Sequence, residues 1–461
     1  MTLVDAHGNA VSTSSRPALD ASERALWRMM SFYGTPIDDL DAAIAADAGW
    51  AFPHAMKAGF LLLLTEPAMR ADALHSLADA RRLGPLATDR ERDHLGALGL
   101  LADGDWVGAG AAWSALLANH PRDALALQWG HLLDFHRGDA QSLRERVATA
   151  LPAWHEADPL QPFVLGLHAF GLEESGCYAE AEDTGRRALG GAARVPWAIH
   201  AVAHVMEMQG RHLEGLRWMA QWRPDWGGSE VAQRNGFAGH LGWHEALFAL
   251  ESLDHRAALA TFDDYLRADA TEIVLQRLDA ASLLWRLHLL GVDVGERWQR
   301  LLDGWSLEGD AAGHSVFNDM HATLALLGAG EAARAAEWVA LTVAQAERRP
   351  GWNREVSRVV GAPLMHGLLA FDAGRFDAAF EAMAPLRAGL ARIGGSHAQR
   401  DVVDQTLLAA AALGAQRAAG RALLAERSRA RAATPLSRHW QRTLAATAGA
   451  SPCGCVLGGR G

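Results

Sequence analysis

The stretch GCYAEAEDTGRRAL, Gly176 to Leu189, decides the fold. A glycine opens it, and the small residues Ala179, Ala181 and Ala188 follow with Tyr178 where two paired helices have to approach closely. The segment GRFDAAFEAM, Gly374 to Met383, repeats the arrangement with Phe376, Ala378 and Ala379. Working outward, glycine-led turns recur at Gly104-Asp105, Gly138-Asp139, Gly176-Cys177 and Gly210-Arg211, spaced by 34, 38 and 34 residues. Between such turns apolar residues return at i, i+3, i+4 and i+7, as in Arg24 to Phe32, Arg70 to Leu83 and Ala333 to Ala346. That is the period of a helix, and no alternating strand pattern competes with it.

A repeat near 34 residues, with a helix on either side of each glycine, is the signature of tetratricopeptide-type helix pairs. One amphipathic pair cannot bury its apolar stripe alone, so neighbouring pairs must stack. The expected fold is therefore all-α: an α-solenoid of degenerate tetratricopeptide-like helix pairs, strongly curved or closed around a central polar pocket. The expected boundaries are a flexible N-terminal segment over 1–19, a single array over 20–448 and a flexible tail over 449–461. The glycine-rich connection after Trp222, RPDWGGSEVAQRNG, loosens the repeat, as does the stretch of 44 residues from Gly330 to Gly374; in solenoids such insertions often border a binding site.

Composition narrows the function. Of 461 residues 50% are hydrophobic and 21% charged, which excludes disordered and fibrous chains. A net charge of -11 argues against nucleic acid as a partner. Three cysteines, Cys177, Cys453 and Cys455, cannot staple a chain of this length, which fits a reducing compartment, with the cytoplasm as the expected location. Apolar runs such as Ala58 to Leu64 are too short to span a bilayer, and no export signal opens the chain, so no membrane partner is expected. The tail's Cys-Gly-Cys pair offers two thiolates, which do not make a metal site.

The candidate chemistry lies in histidines at helical spacing. In PWAIHAVAHVMEMQG, Pro196 to Gly210, His200, His204 and Glu207 stand at i, i+4 and i+7 on one helix face. In GHLGWHEALFALE, Gly239 to Glu251, His240 and His244 repeat the device with Trp243 beside them. Burying imidazoles and a carboxylate is costly unless they find partners. Three readings are open: a divalent metal such as zinc on His200, His204, His240 and His244; a metal-free general base oriented by Glu207; or a purely structural polar network. No Glu follows His200, so the zinc-protease motif is absent.

A third cluster, GHSVFNDMHATLALLG, places His314, Asn318 and His321 on one face with Asp319 adjacent, although Asn318 and Asp319 serve equally well as capping groups. A fourth, GGSHAQRDVVDQTLL, opens a helix with Ser396 as N-cap and brings His397, Gln399, Arg400, Asp401 and Gln405. Arg400 could clamp an anionic group or pair with Asp401 or Asp404. There is no phosphate-cradling loop, nucleophile elbow or dinucleotide fingerprint.

The stretches AIHAVAHVMEMQG, GHLGWHEALFALE, FNDMHATLALLG and GGSHAQRDVVDQTLL, with FGLEESGCYAEAE, resemble the tetratricopeptide repeat protein 38 family, in the same order from roughly Trp27 to Ala445. The resemblance implies a helical array of degenerate repeats and brings no established reaction. One departure falls at Arg358-Val359, where the family pattern can carry Arg-Asp ahead of the segment Gly361 to Leu364.

The functional expectation is thus a pocket that binds or transforms a small polar molecule, with anionic character an option. If catalytic, it is a metal-dependent or histidine-based hydrolase or lyase, with His200, His204, Glu207, Asp319 and His321 as catalytic residues. Trp243, Asn318, Gln399, Arg400 and Asp401 would bind the substrate. The alternative is a non-catalytic scaffold that holds a protein or peptide in its groove. The oligomeric state, a homodimer included, is open.

Overall fold

The computed structural model describes residues 3–191, 194–228, 235–266, 274–307, 309–429 and 431–446. They fold into helices throughout; among the described residues the only extended pairings are the isolated bridges Val4 to Ala10 and Tyr33 to Asn235. The architecture is an all-α solenoid of sequential, tetratricopeptide-like helix pairs. No helix among the described residues is long and apolar enough to cross a membrane.

The glycine spacing read from the sequence has a direct cause. Gly104, Gly138, Gly176 and Gly210 all sit in the left-handed region, with φ between +63° and +84°. Each ends one helix in a conformation that costs a residue with a Cβ roughly 1–2 kcal/mol. The next residue then starts the following helix: the Asp105 carboxylate accepts from Gly108 N–H at 2.8 Å, and Asp139 from Ser142 N–H at 3.0 Å. Glycine plus cap in adjacent positions makes the tight reversal that a helix pair needs.

The chain divides into two compact units. The first comprises 1–202, 223–237 and 349–352; the second comprises 203–222, 238–348 and 353–461. The boundary runs through two helices, Pro196–Met208 and His212–Trp226, the second of which continues past Trp222 with Pro224 inside it.

In the first unit, Ala51–Leu63 pairs with Arg70–Leu83, Asp89–Ala102 with Trp106–Asn119, and Gln161–Glu174 with Tyr178–Gly191. Pairs approach closely where glycine stands: a Cβ on Gly171 would lie 2.8 Å from the Arg144 Cα. Within the segment 1–19, expected to be flexible, residues 3–15 make contacts with the rest of this unit. Val11 is buried, His7 Nδ1 lies 3.4 Å from Asp158, and Ser12 N–H donates to Glu91 at 3.2 Å. Its polar groups find acceptors on a helix and on a turn of the same unit, which a composition reading does not register. The expected tail over 449–461 lies outside the described residues.

The second unit is organised around the helix Val274–Leu289, which packs against Ala238–Glu251, Val316–Gly328 and His397–Leu413. Nearly every side chain of that helix is buried, including Arg277, Asp279 and Arg286. Charges so placed need partners, and finding them locates the candidate site.

Candidate functional site in the second unit

His204 and Glu207 enter the second unit on the C-terminal half of Pro196–Met208, and Ala238–Glu251 carries His240, Trp243 and His244 to meet them. The His204 and His244 rings lie 4.4 Å apart at 62°, and those of His240 and His244 lie 4.9 Å apart at 86°. Each of the three offers a ring nitrogen, and these nitrogens fall within 4.8 Å of one another. Three imidazoles thus come together, His244 meeting each of the other two edge to face.

Two carboxylates back them. His244 Nδ1 is 3.2 Å from Glu207 Oε2, and His240 Nδ1 is 2.7 Å from Asp279 Oδ2. Asp279 Oδ1 in turn accepts from Gln399 Nε2 at 3.3 Å. Gln399 also closes a capping box with Ser396, so the start of His397–Leu413 is locked as its side chain reaches inward. His240 stacks on Trp243 at 5.3 Å, and the Arg286 guanidinium lies 5.6 Å over the same indole.

Burial governs the protonation. His204 and His244 are fully buried, whereas the His240 side chain keeps 15% of its surface. Desolvation pushes the His244 imidazole well below its ordinary value, with His240 and Arg286 adding repulsion. Desolvation pushes the Glu207 carboxyl up to about 7, against the pull of Arg431. The site therefore holds one imidazole, His244, biased to its neutral form beside a carboxyl poised near neutrality.

Other expected residues make contacts of their own. His200 belongs to the first unit's share of its helix, where its ring packs 5.0 Å from Phe170 and Phe237 and 5.1 Å from Trp197. Asp319 accepts from Gly313 N–H at 3.1 Å and so braces the turn ahead of its helix, and Asn318 N–H reaches the Ser315 cap at 3.5 Å. His321 donates to the Phe317 carbonyl at 2.8 Å, and burial pushes it down to about 4. Asp401 is gripped by Arg427 at 2.7 and 2.6 Å, which holds its carboxyl far below the usual range despite burial. Arg400 donates to the Gly395 carbonyl, and Asp404 accepts from Arg387.

Sequence reasoning missed Asp279 and Arg286. A signal was present: both are charged residues inside an otherwise apolar helix, among Leu278, Ala280, Ala281, Leu283 and Leu284. Arg286 reaches the Ala398 carbonyl at 2.7 Å and Ser282 on its own helix, tying the central helix to His397–Leu413. Arg431, whose Nη2 donates to the Glu207 carbonyl at 2.7 Å, was missed with less excuse from pattern, since it follows a helix end.

A separate cavity of about 30 Å³ lies in the first unit, lined by His7, Asn9, Trp50, Phe52, Arg90 and Asp123. It has room for about two water molecules.

No family model matches the chain. A tetratricopeptide repeat protein from Parabacteroides merdae is similar over 65% of this chain and 98% of its own, at 15% identity and a TM-score of 0.35. Yeast Tom70 is similar over 94% of this chain and 86% of its own, at 11% identity and a TM-score of 0.37. Scores this low carry no argument about site residues or activity.

Proposed function

We propose that the protein binds, and chemically transforms, a small polar molecule at the histidine and carboxylate cluster of its second unit. The observation that carries this reading is the pair of buried carboxylate–imidazole contacts, Asp279 with His240 and Glu207 with His244, set beside a third imidazole, His204. A histidine oriented by a carboxylate is the ordinary form of a general base near neutral pH. The reaction class it suits is hydrolysis or lyase-type proton transfer, with metal assistance as the other route. Trp243 and Gln399 would contact the molecule, and Arg286 supplies the buried positive charge for an anionic group that the sequence reading gave to Arg400. His321, Asp319 and Asn318 act in this scheme as supports for their own helix. The narrower resemblance to the tetratricopeptide repeat protein 38 family, the cytoplasmic location and a homodimeric state belong to the same proposal.

A second reading has its own support. The buried polar groups satisfy one another to a large degree, Asp401 with Arg427 and Arg286 with Ala398 among them, as they would in a scaffold whose ligand is a peptide or protein held on another face. A thermal-shift screen of metabolites on wild type and His240→Gln separates the two. A molecule present at 100 times its Kd stabilises the site by about 2.7 kcal/mol. Stabilisation of wild type and not of the variant supports the first reading; a peptide bound equally by both supports the second.

A further inference from the structure

We infer that His204, His240 and His244 hold a divalent transition-metal ion, with Glu207 and Asp279 as the carboxylates that position the rings. The inference deepens the reading of this cluster as the functional site and rests on it for the ion's chemical role. Its warrant is geometric. Ligand nitrogens within 4.8 Å of one another stand close to the spacing of roughly 3.3 Å that a tetrahedral ion with bonds of about 2.0 Å imposes. Side-chain rotation on binding would have to close the difference. The rings meet at 62° and 86°, as imidazoles do when they converge on one point rather than stack.

The hydrogen bonds agree. A ligating histidine characteristically donates its other N–H to a carboxylate, which sets the tautomer and raises the basicity of the ligating nitrogen. Here the Nδ1 atoms of His240 and His244 face Asp279 and Glu207, so Nε2 is the ligating atom in both. Gln399 fixes Asp279 from a further helix. Charge agrees as well. The Glu207 and Asp279 carboxylates supply negative charge beside a dication, while Arg431 is already answered by Glu251 at 3.6 Å and Arg427 by Asp401 at 2.5 Å.

Imidazole donors select zinc, cobalt, nickel, copper or iron over magnesium and calcium. Three imidazoles leave one position of a tetrahedral shell for an oxygen ligand.

The test is a cobalt(II) titration of the full chain after chelator treatment, with Cys453 and Cys455 changed to serine in every arm so that tail thiolates contribute nothing. The expected result is one cobalt per chain, with the intense visible absorption of a tetrahedral nitrogen site, displaced by zinc and not by magnesium. His240→Gln and His244→Asn should each weaken binding at least 100-fold, and His136→Gln in the first unit should not. Absence of stoichiometric cobalt in folded wild type overturns the inference, and so does full affinity in both variants. Should a variant fail to fold, the wild-type spectrum decides: an octahedral, weakly absorbing cobalt also overturns it. No small molecule is present in this titration. Cobalt binding without metabolite binding would therefore sink the proposed function alone, and metabolite binding to chelated protein that takes up no cobalt would sink the ion alone.

Discussion

In the first unit buried carboxylates meet guanidinium groups; in the second, the two at the candidate site meet imidazoles. Arg146 lies almost wholly buried with Nε 2.8 Å and Nη2 3.1 Å from the two Asp134 oxygens, and its remaining nitrogen donates to Gly110 O and Ser114 Oγ. Asp123 likewise takes Arg90 at 2.6 Å and His94 at 3.0 Å while capping its helix through Ala126 N–H, and its carboxyl is driven far below the usual range against the cost of burial. These are closed arrangements whose charges cancel. Glu207 and Asp279 face imidazole rings, and Glu207 is pushed up to about 7. Arginine cannot give up its proton or bind an ion, whereas imidazole can do both. The second unit thus keeps its polar interior chemically adjustable where the first spends it on rigidity.

The comparison breaks most readily at the carboxylates. Asp134→Asn leaves the Arg146 charge buried without its counter-ion and should lower unfolding stability by about 3 kcal/mol or more. Glu207→Gln, which removes a charge half neutralised already, should cost about 1 kcal/mol or less. Equal losses in urea unfolding would end the distinction.

An imidazole in the first unit offers the next largest effect. His131 is fully buried against Phe170 and Trp197, and desolvation, with Arg146 adding repulsion, pushes it down to about 3. The unfolded chain takes up this proton near pH 6.5 and the folded chain does not. The stability it contributes is therefore present above pH 6.5 and falls on acidification, by about 3 kcal/mol at pH 4. His131→Leu should flatten that part of the stability–pH curve.

Asp279→Asn sharpens the other side. It keeps the shape beside His240 but removes the charge, so zinc affinity should drop 10–100-fold with the fold unchanged by circular dichroism. Smallest of all, Arg16→Ala breaks a solvent-exposed pair with Asp20 and should alter stability by less than about 0.5 kcal/mol.

How much of this was legible follows from the range of each signal. The turns at Gly104, Gly138, Gly176 and Gly210, the caps at Ser396 and the paired faces of His204 with Glu207 and His240 with His244 are set by residues a few positions apart, so periodicity exposes them. The Asp279 contact joins residues 39 apart and the Gln399 contact joins residues 120 apart. No local pattern carries either. Arg400 shows the converse: its type and position suggested an anion clamp, but it turns back to the Gly395 carbonyl five residues away.

The sequence by itself determined the all-α repeat and the helices that present imidazoles, because helical period and left-handed glycine turns are properties of the local chain. Only the tertiary structure decided that the chain forms two units, that His200 packs among the first unit's aromatics, and that Asp279, from a helix the motif search passed over, stands behind His240. The physical reason is that burial makes a lone charge costly, and its partner is whichever group the packing of distant helices brings within about 3 Å.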